Sequence, residues 1–545
     1  MKLKFLGAAR CVTGSCHMIE TDKNKILIDC GMRQGSDADG KIKDGEFPFD
    51  PAQIDAMLLT HAHIDHSGLI PLLVKKGFKG RIISTTATAD LCTIMLPDSG
   101  HIKESDAEYQ NRKLARQGKE PIDPLYTLED AQESLKHFSP CEYGDIVTVV
   151  PGIRVQFTDA GHMLGSSSID IIVQEQEKST QILFSGDLGH SERPLVRDPQ
   201  VVIQCDYLVL EGTYGDRIHR DEGDKVELLA RVISDTFKRG GNVVIPSFAV
   251  GRTQEVLYYI SKIIRENRLP QIKEIPVYID SPLGIEATKI YERNAVRYYD
   301  DEAQALLKKG IDPLLFDSLR VAKTVDESKL INEDKEPKII ISSSGMCEAG
   351  RIRHHLKHNL WRRESTVLFV GYQAVGTLGR TLLDGKKKIK LFGEEINVAA
   401  QLVRFEGFSG HADVNELTDW AKSIKIGPKG VFLVHGEPEV LDSFAAKLRR
   451  ELNVPIEIPE YLGEYDLAKV TGEVREFSQV AEQKPFIPSY HTDITALLEQ
   501  SDRIYHLLKR IEQANKSLGD AGELKLKLLE VDLSAFADKW EKMLK

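Results

Sequence analysis

The stretch THAHIDHSG (60–68) places three histidines and an aspartate within six positions, directly after the apolar run AMLL (56–59). His61 and His63 are two apart, so in extended backbone at a strand end they face the same way. Asp65 and His66 follow at the opening of the helix-like SGLIPLLVKKG. Imidazole nitrogens and a carboxylate at this density suit zinc better than magnesium. Four donors at one strand end can serve two ions if further donors arrive from elsewhere in the chain.

The elements that must position these donors are legible as a repeated pattern. A short β-branched or Leu-rich run ends abruptly in a polar residue, often beside glycine. KILIDCG (25–31), AMLLTHAH (56–63), RVQFTDAGH (154–162), QILFSGD (181–187) and DYLVLEGTYG (206–215) follow it. So do NVVIPSFAVGR (242–252), PVYIDSPLG (276–284), KIIISSSGM (338–346), TVLFVGYQ (366–373) and GVFLVHGE (430–437). Alternation with amphipathic stretches such as EVLYYISKIIREN (255–267) predicts buried strands in α/β layers. The polar residues then collect at the carboxyl ends of strands, where open α/β sheets bind ligands. Past about 480 the pattern changes. EQKPFIPSYHTD reads as a linker, and Ile494, Leu497, Ile504, Leu508, Ile511 and Leu518 recur at helical spacing, with Asp493 as N-cap and Gly519 past the C-terminus. This predicts a helical appendix whose apolar stripe is covered by the body or by a second subunit, as in a homo-oligomer.

At 545 residues the chain is too long for one simple core, and 41% hydrophobic residues suit a folded protein. No apolar run reaches the ~18 residues of a membrane span, and the first residues read as a strand rather than a signal peptide. A cytoplasmic location without membrane association is the expectation, with no nucleic-acid-binding module ahead of the first strand. Seven scattered cysteines with no CxxC pair argue against a disulfide framework or a cysteine zinc knuckle. The net charge of −11 argues against a general nucleic-acid coat but not against a local basic groove. RIRHHLKHNLWRR (351–363), KKKIK (386–390) and NRKLARQGK (111–119) are candidates for such a groove, or else solvated faces.

HxHxDH after a strand, with Asp29 ahead, His162 in DAGHMLGSSS and Asp187 in FSGDLG, resembles the metallo-β-lactamase fold. Glu211 in LEGTYGDR, His411 in FEGFSGHAD and His435 in FLVHGE narrow the resemblance to its β-CASP branch. IPSFAVGRTQEV, DSPLG, SSSGMCEAGRIRHHL and GYQAVGTLGR are similar to that branch's bacterial and archaeal RNA-processing members, related to the cleavage and polyadenylation specificity factor nuclease. The resemblance covers about 1–470. It implies an α/β protein: a four-layer αββα metallo-β-lactamase domain from 1–208 and 386–470, an inserted α/β β-CASP domain over 209–385, and a helical C-terminal extension over 471–545.

The resemblance also implies two zinc ions per chain. One is held by His61, His63, His162 and Asp187; the other by Asp65, His66, His435 and the same bridging Asp187. A water or hydroxide between two such ions is a nucleophile at neutral pH. Asp29 would fix the tautomer of a ligating imidazole. His411 corresponds to the proton donor and Glu211 to its orienting partner, since a departing ribose oxyanion leaves poorly unless protonated; Asp65 joins them in the catalytic set. Read from its residue type alone, His411 could instead be a ligand or a helix-start residue. The strand ends SSSG (342–345, with Ser344) and GT (376–377, with Thr377) could cradle phosphates or serve only as turns. Arg252, Arg351 and Arg380 could add charge-assisted contacts. The expected function is a zinc-dependent ribonuclease acting on single-stranded RNA, endonucleolytic or from the 5′ end. Histidine at 435 favours RNA over DNA within the family. Another binuclear-zinc hydrolase of the same fold, a DNA-directed β-CASP nuclease and a metal-less binding subunit are the alternatives.

Overall fold

The computed structural model describes residues 1–34, 45–175, 178–219, 223–405 and 407–467. The chain divides into two units, Met1–Val480 and Ala481–Lys545, and every described residue belongs to the first. The expected helical extension over 471–545, with Asp493, Gly519 and its apolar stripe, lies outside the described residues. All seven cysteines are free, and among the described residues no helix is long and apolar enough to cross a membrane.

Two seven-stranded sheets stack face to face. The first runs Gly463–Asp466, Lys2–Phe5, His17–Glu20, Lys25–Ile28, Ala56–Leu58, Arg81–Thr85, Phe138–Cys141. The second runs Ile456–Glu457, Gly430–Val434, Tyr207–Glu211, Lys178–Phe184, Ser167–Glu175, Ile153–Asp159, Ile146–Val150. Phe5, Ile19, Ile28 and Ile83 from the first meet Phe157, Ile169, Ile171 and Phe432 from the second in one apolar core. Ala56–Leu58 is buried at every position because its second face also carries a layer: Met57 and Ile82 pack with Ile70 and Leu73 of Ile70–Lys75 and Leu91 of Thr86–Arg116. The helices Val414–Lys422 and Pro438–Leu452 cover the second sheet through Leu417, Trp420, Leu441 and Phe444. The order is αββα, as expected.

A third, six-stranded and wholly parallel sheet runs Leu319–Val321, Val277–Ile279, Ile339–Ser342, Val243–Pro246, Thr366–Phe369, Gln401–Arg404. Period-2 alternation explains its two covered faces. Val243, Ile245, Ile339 and Ile341 pack on Leu229, Leu257 and Ile260, whereas Val244, Ile340 and Val367 pack on Ile352, Leu356 and Leu382.

Sheet membership corrects the expected boundaries. Tyr207–Glu211 pairs in parallel with both Lys178–Phe184 and Gly430–Val434, so the first part of the sandwich continues past 208 to at least Glu211. Gln401–Arg404 pairs with Thr366–Phe369, so the insertion extends past 385 to at least Arg404. SGLIPLLVKKG is also not one helix. Ile64–Ser67 closes at Gly68, and Ile70–Lys75 starts again with Pro71 in its first turn, where proline lacks only an N–H that would be unsatisfied anyway.

Candidate metal centre

His61 and His63 leave the end of Ala56–Leu58 as expected, and His63 forms the N-cap of Ile64–Ser67. His162 follows Ile153–Asp159, Asp187 follows Lys178–Phe184, and His435 follows Gly430–Val434. Strand ends from both sheets thus converge on one point. His61 Nε2 and His63 Nδ1 are 3.1 Å apart, as are His63 Nδ1 and His162 Nε2. Asp187 Oδ2 lies 3.5 Å from His61 and 3.7 Å from His162. Its other oxygen, Oδ1, lies 3.3 Å from His66 Nε2 and 3.7 Å from His435 Nε2. His66 and His435 approach to 3.2 Å, and Asp65 Oδ2 is 3.6 Å from His435. All of these but Asp65 and His63 are nearly inaccessible to solvent.

The back of each ring decides which nitrogen faces inward. His66 Nδ1–H donates to Asp29 Oδ2 at 2.8 Å. His61 Nδ1 lies 3.1 Å from Thr60 Oγ1, whose own hydrogen goes to Asp29 Oδ2 at 2.8 Å. His162 Nδ1–H donates to the Gly410 carbonyl at 2.9 Å, and His435 Nδ1–H donates to Thr213 Oγ1 at 2.9 Å. With those protons outside, four Nε2 lone pairs and His63 Nδ1 point at one another and at Asp187. Asp187 Oδ1 is buried and accepts no hydrogen bond. Acceptors gathered this closely repel unless a cation lies among them, so the residues present fit a metal centre. Two groups of donors satisfy that fit, His61/His63/His162/Asp187 and Asp65/His66/His435, with one oxygen of Asp187 turned toward each.

The electrostatics agree for three of the imidazoles. Burial holds His61, His63 (to about 4) and His162 below the usual histidine range, in the neutral form that binds metal. Burial opposes ionisation of Asp65 and Asp187, but the histidines around them outweigh it and keep both carboxylates charged, Asp65 at about 2. His66 differs: burial works against its charge, but Asp187 and Asp29 outweigh it and raise its pKa, so the ring favours the charged form, and a cation beside Asp187 would have to displace that proton. Asp29 and His435 sit at φ +58° and +53°, a left-handed conformation costly for residues with a Cβ and concentrated at functional sites.

His411 stands at the rim. Its Nδ1 is 3.2 Å from Glu211 Oε1, and Glu211 is itself held by the Leu188 N–H at 2.7 Å and the Thr213 N–H at 3.2 Å. Burial would push the His411 pKa down, but the charge and hydrogen bond of Glu211, with Asp187 and Asp65 beyond, raise it to about 9. An imidazolium held at the rim of the centre can donate a proton. A further grouping of Asp187, Glu211 and His411 also has donor atoms close together; the hydrogen bond to Glu211 occupies the His411 nitrogen that would have to join it.

The predicted phosphate contacts are placed differently. Arg252 is buried, with Nη1 2.6 Å from Glu255 Oε2. Arg351 Nη1 is 2.6 Å from Asp280 Oδ1, and its other donors reach the Ala322 and Lys323 carbonyls. Arg380 pairs with Asp384 at 2.8 Å. Thr377 Oγ1 caps the helix Leu378–Leu383, and Ser344 Oγ accepts from the Glu348 and Ala349 N–H groups. Each has an intramolecular partner. Thr60, Thr213 and Gly410 are the residues that sequence reasoning overlooked. All three stand inside quoted motifs, AMLLTHAH, LEGTYGDR and FEGFSGHAD, and only their spatial partners reveal a role. Arg193 gave no signal at all, yet its Nη1 donates to the His162 and Gly410 carbonyls (2.7 and 3.1 Å) and its Nη2 to Glu255 (3.2 Å). It ties the helix Arg252–Arg265 of the insertion to the loop that orients His162.

Residues 9–232 match the metallo-beta-lactamase superfamily, 253–382 the Beta-Casp domain, and 395–459 the Zn-dependent metallo-hydrolase RNA specificity domain. Ribonuclease TTHA0252 of Thermus thermophilus is 37% identical over 441 residues, covering 81% of this chain and 94% of the relative. An RNase J-like protein of Methanocaldococcus jannaschii is 32% identical, with 84% and 97% covered. The transcription termination factor FttA of the same archaeon is 32% identical, with 83% and 69% covered.

Proposed function

The chain belongs to the β-CASP family of the metallo-β-lactamase superfamily, and from that premise we propose that it is a ribonuclease hydrolysing single-stranded RNA with two zinc ions per chain. The observation that carries the binuclear reading is Asp187, whose two oxygens face two separate imidazole groups. His61, His63, His162 and Asp187 would hold one ion; Asp65, His66, His435 and Asp187 the other. Zinc supplies Lewis-acid stabilisation of phosphoryl charge and a water acidified to near neutral pH.

The chain's own residues do the rest. Asp29, Thr60, Gly410 and Thr213 hold imidazole protons outward, so the ligating nitrogens are preset. His411, kept charged by Glu211, protonates the departing ribose oxygen. Asp65, drawn toward His435, would help hold the second ion and brings negative charge to it. The ribonuclease named among the relatives and the RNA specificity domain over 395–459 support RNA as substrate. End-labelled single-stranded RNA and DNA of one sequence, each with a 5′-triphosphate, monophosphate or hydroxyl, test it. RNA should be cut and DNA spared, with cutting lost on chelation and restored by zinc. Equal cutting of DNA, or cutting that survives chelation, overturns the proposal.

A further inference from the structure

Two basic segments have no part in the metal centre, and the fold brings them to one face. Residues 351–363 contain five Lys/Arg and no acid, and 386–390 contain four, in a chain where acids outnumber bases 83 to 72. The first forms the helix Ile352–Asn359 and its exit; the second opens the antiparallel hairpin Lys388–Leu391/Glu394–Asn397. Underneath, Ile352, Leu356 and Leu360 share one buried cluster with Ile389, Leu391 and Ile396. On top, His354 stacks on Phe392 at 4.3 Å and 20°, with the Arg353 guanidinium 5.3 Å from the same ring. Backbone bonds tie the far ends together. The Ala399 and Ala400 N–H groups donate to the Leu360 carbonyl, and the Val398 N–H donates to that of Lys387.

The charge on this face is not balanced by the protein. Glu394 and Glu395 take Lys357 and Lys388, both at 2.7 Å. Among the described residues, Arg353, Arg363, Lys386, Lys387 and Lys390 have no carboxylate at ion-pair distance. Two large aromatic residues stand among them in solvent, Trp361 at 59% exposure and Phe392 at 49%. Surplus cations alone suit any polyanion, but cations interleaved with exposed rings suit a strand whose bases are free to stack. A duplex would leave the rings unused. The face is also linked to the metal centre through the fold. The helix starts beside Ser343 at the carboxyl end of Ile339–Ser342, and the neighbouring parallel strand Val243–Pro246 leads to Glu255, which holds Arg193 on the His162 carbonyl. From its start the helix extends about 12 Å.

We propose that this helix–hairpin face is a second binding site for single-stranded RNA, one that holds substrate beyond the nucleotides in the cleft. It rests on the ribonuclease reading above. The test uses the zinc-loaded full chain and the triple variant Lys386→Glu/Lys387→Glu/Lys390→Glu, whose side chains are all exposed. Substrates are a 30-nucleotide RNA, a 5-nucleotide RNA and bis(p-nitrophenyl) phosphate, at 50–200 mM salt. For the triple variant, the ratio of kcat/KM on the 30-mer to that on the small diester should fall at least about tenfold. The ratio for the 5-mer should move far less, and the slope of log KM against log salt should drop by about 2, the share of three lost phosphate contacts. Lys386→Arg/Lys387→Arg/Lys390→Arg should restore both, and Trp361→Ala should weaken the 30-mer about tenfold through lost stacking. Unchanged 30-mer ratio and salt slope overturn the proposal. So does a variant that loses binding only to phosphatidylserine vesicles, which would assign the face to a membrane. If the parent enzyme cleaves the small diester but no RNA, the ribonuclease reading fails first and this site falls with it.

Discussion

Asp187 and Asp280 are both buried carboxylates just past a strand end, both beside histidine, and the rest of their surroundings differ. Asp280 in the insertion is completed by the protein: Oδ1 takes Arg351, and Oδ2 takes His355 Nε2 at 2.6 Å and the Ser328 hydroxyl. Burial opposes its ionisation, and His355, Ser328 and Arg351 together hold its pKa below the usual carboxylate range. Asp187 in the sandwich is surrounded by imidazole nitrogens whose protons are turned away, and one of its oxygens accepts nothing. A carboxylate finished by donors builds structure. One ringed by acceptors requires a cation from outside the chain. Sequence alone shows the same text, aspartate after an apolar run with histidines to come, in both places.

Substitution should separate the two. Asp187→Asn removes the group shared by both donor sets, so RNA hydrolysis should fall by ~10³-fold or more with loss of bound zinc, while the fold persists by circular dichroism. Asp280→Asn should do the reverse. It leaves Arg351 and His355 facing a neutral amide, costing ~3–5 kcal/mol of stability in chemical denaturation, while the zinc count per folded chain stays at the parent value. A destabilised Asp187→Asn that still binds zinc would erase the distinction.

A smaller effect concerns the rim. His411→Ala should retain zinc, and its RNA turnover should drop by ~10²–10⁴. The drop should shrink on a p-nitrophenyl diester, whose leaving group needs no proton. Glu211→Gln should follow the same pattern more mildly. Loss of zinc from His411→Ala would make it a ligand and favour the grouping with Asp187 and Glu211.

The smallest effect comes from a third buried carboxyl. Asp170 has neither cations nor charged donors, only the Gln181 side-chain amide at 2.8 and 3.0 Å. Burial therefore raises its pKa to about 7, against that hydrogen bond. The unfolded chain gives up this proton near pH 4, so the stabilisation is complete below that pH and is lost as pH rises toward 7. The slope is at most about 1.4 kcal/mol per pH unit. Asp170→Asn should flatten that part of the stability profile, because its amide can donate to Gln181 Oε1, which is buried without a partner. Denaturant titrations of both proteins between pH 4 and 8 measure the difference.

Much of the centre was legible because metal donors advertise themselves by type and spacing, and strand ends by abrupt polarity. His61, His63, Asp65 and His66 follow from one motif. His162, Asp187 and His435 follow from resemblance, and the structure brings all seven together. What escaped depends on partners distant in sequence. Thr213 serves His435 across 222 positions, and Gly410 serves His162 across 248. The arginines show the same limit: charge is visible in sequence, but the carboxylate paired with it, Glu255 or Asp280, is not. The boundaries slipped because YLVLE and QLVR read alike as strands, and local pattern does not say which sheet a strand will join.

The central claim is that Asp187 joins two donor sets, each holding one ion. Elemental analysis of the as-isolated chain, followed by stepwise zinc titration of the chelated protein with RNA hydrolysis read at each step, addresses it directly. The account predicts two zinc ions per chain and activity that appears only as the second is bound. Full activity in a chain holding one ion, or none, would contradict it.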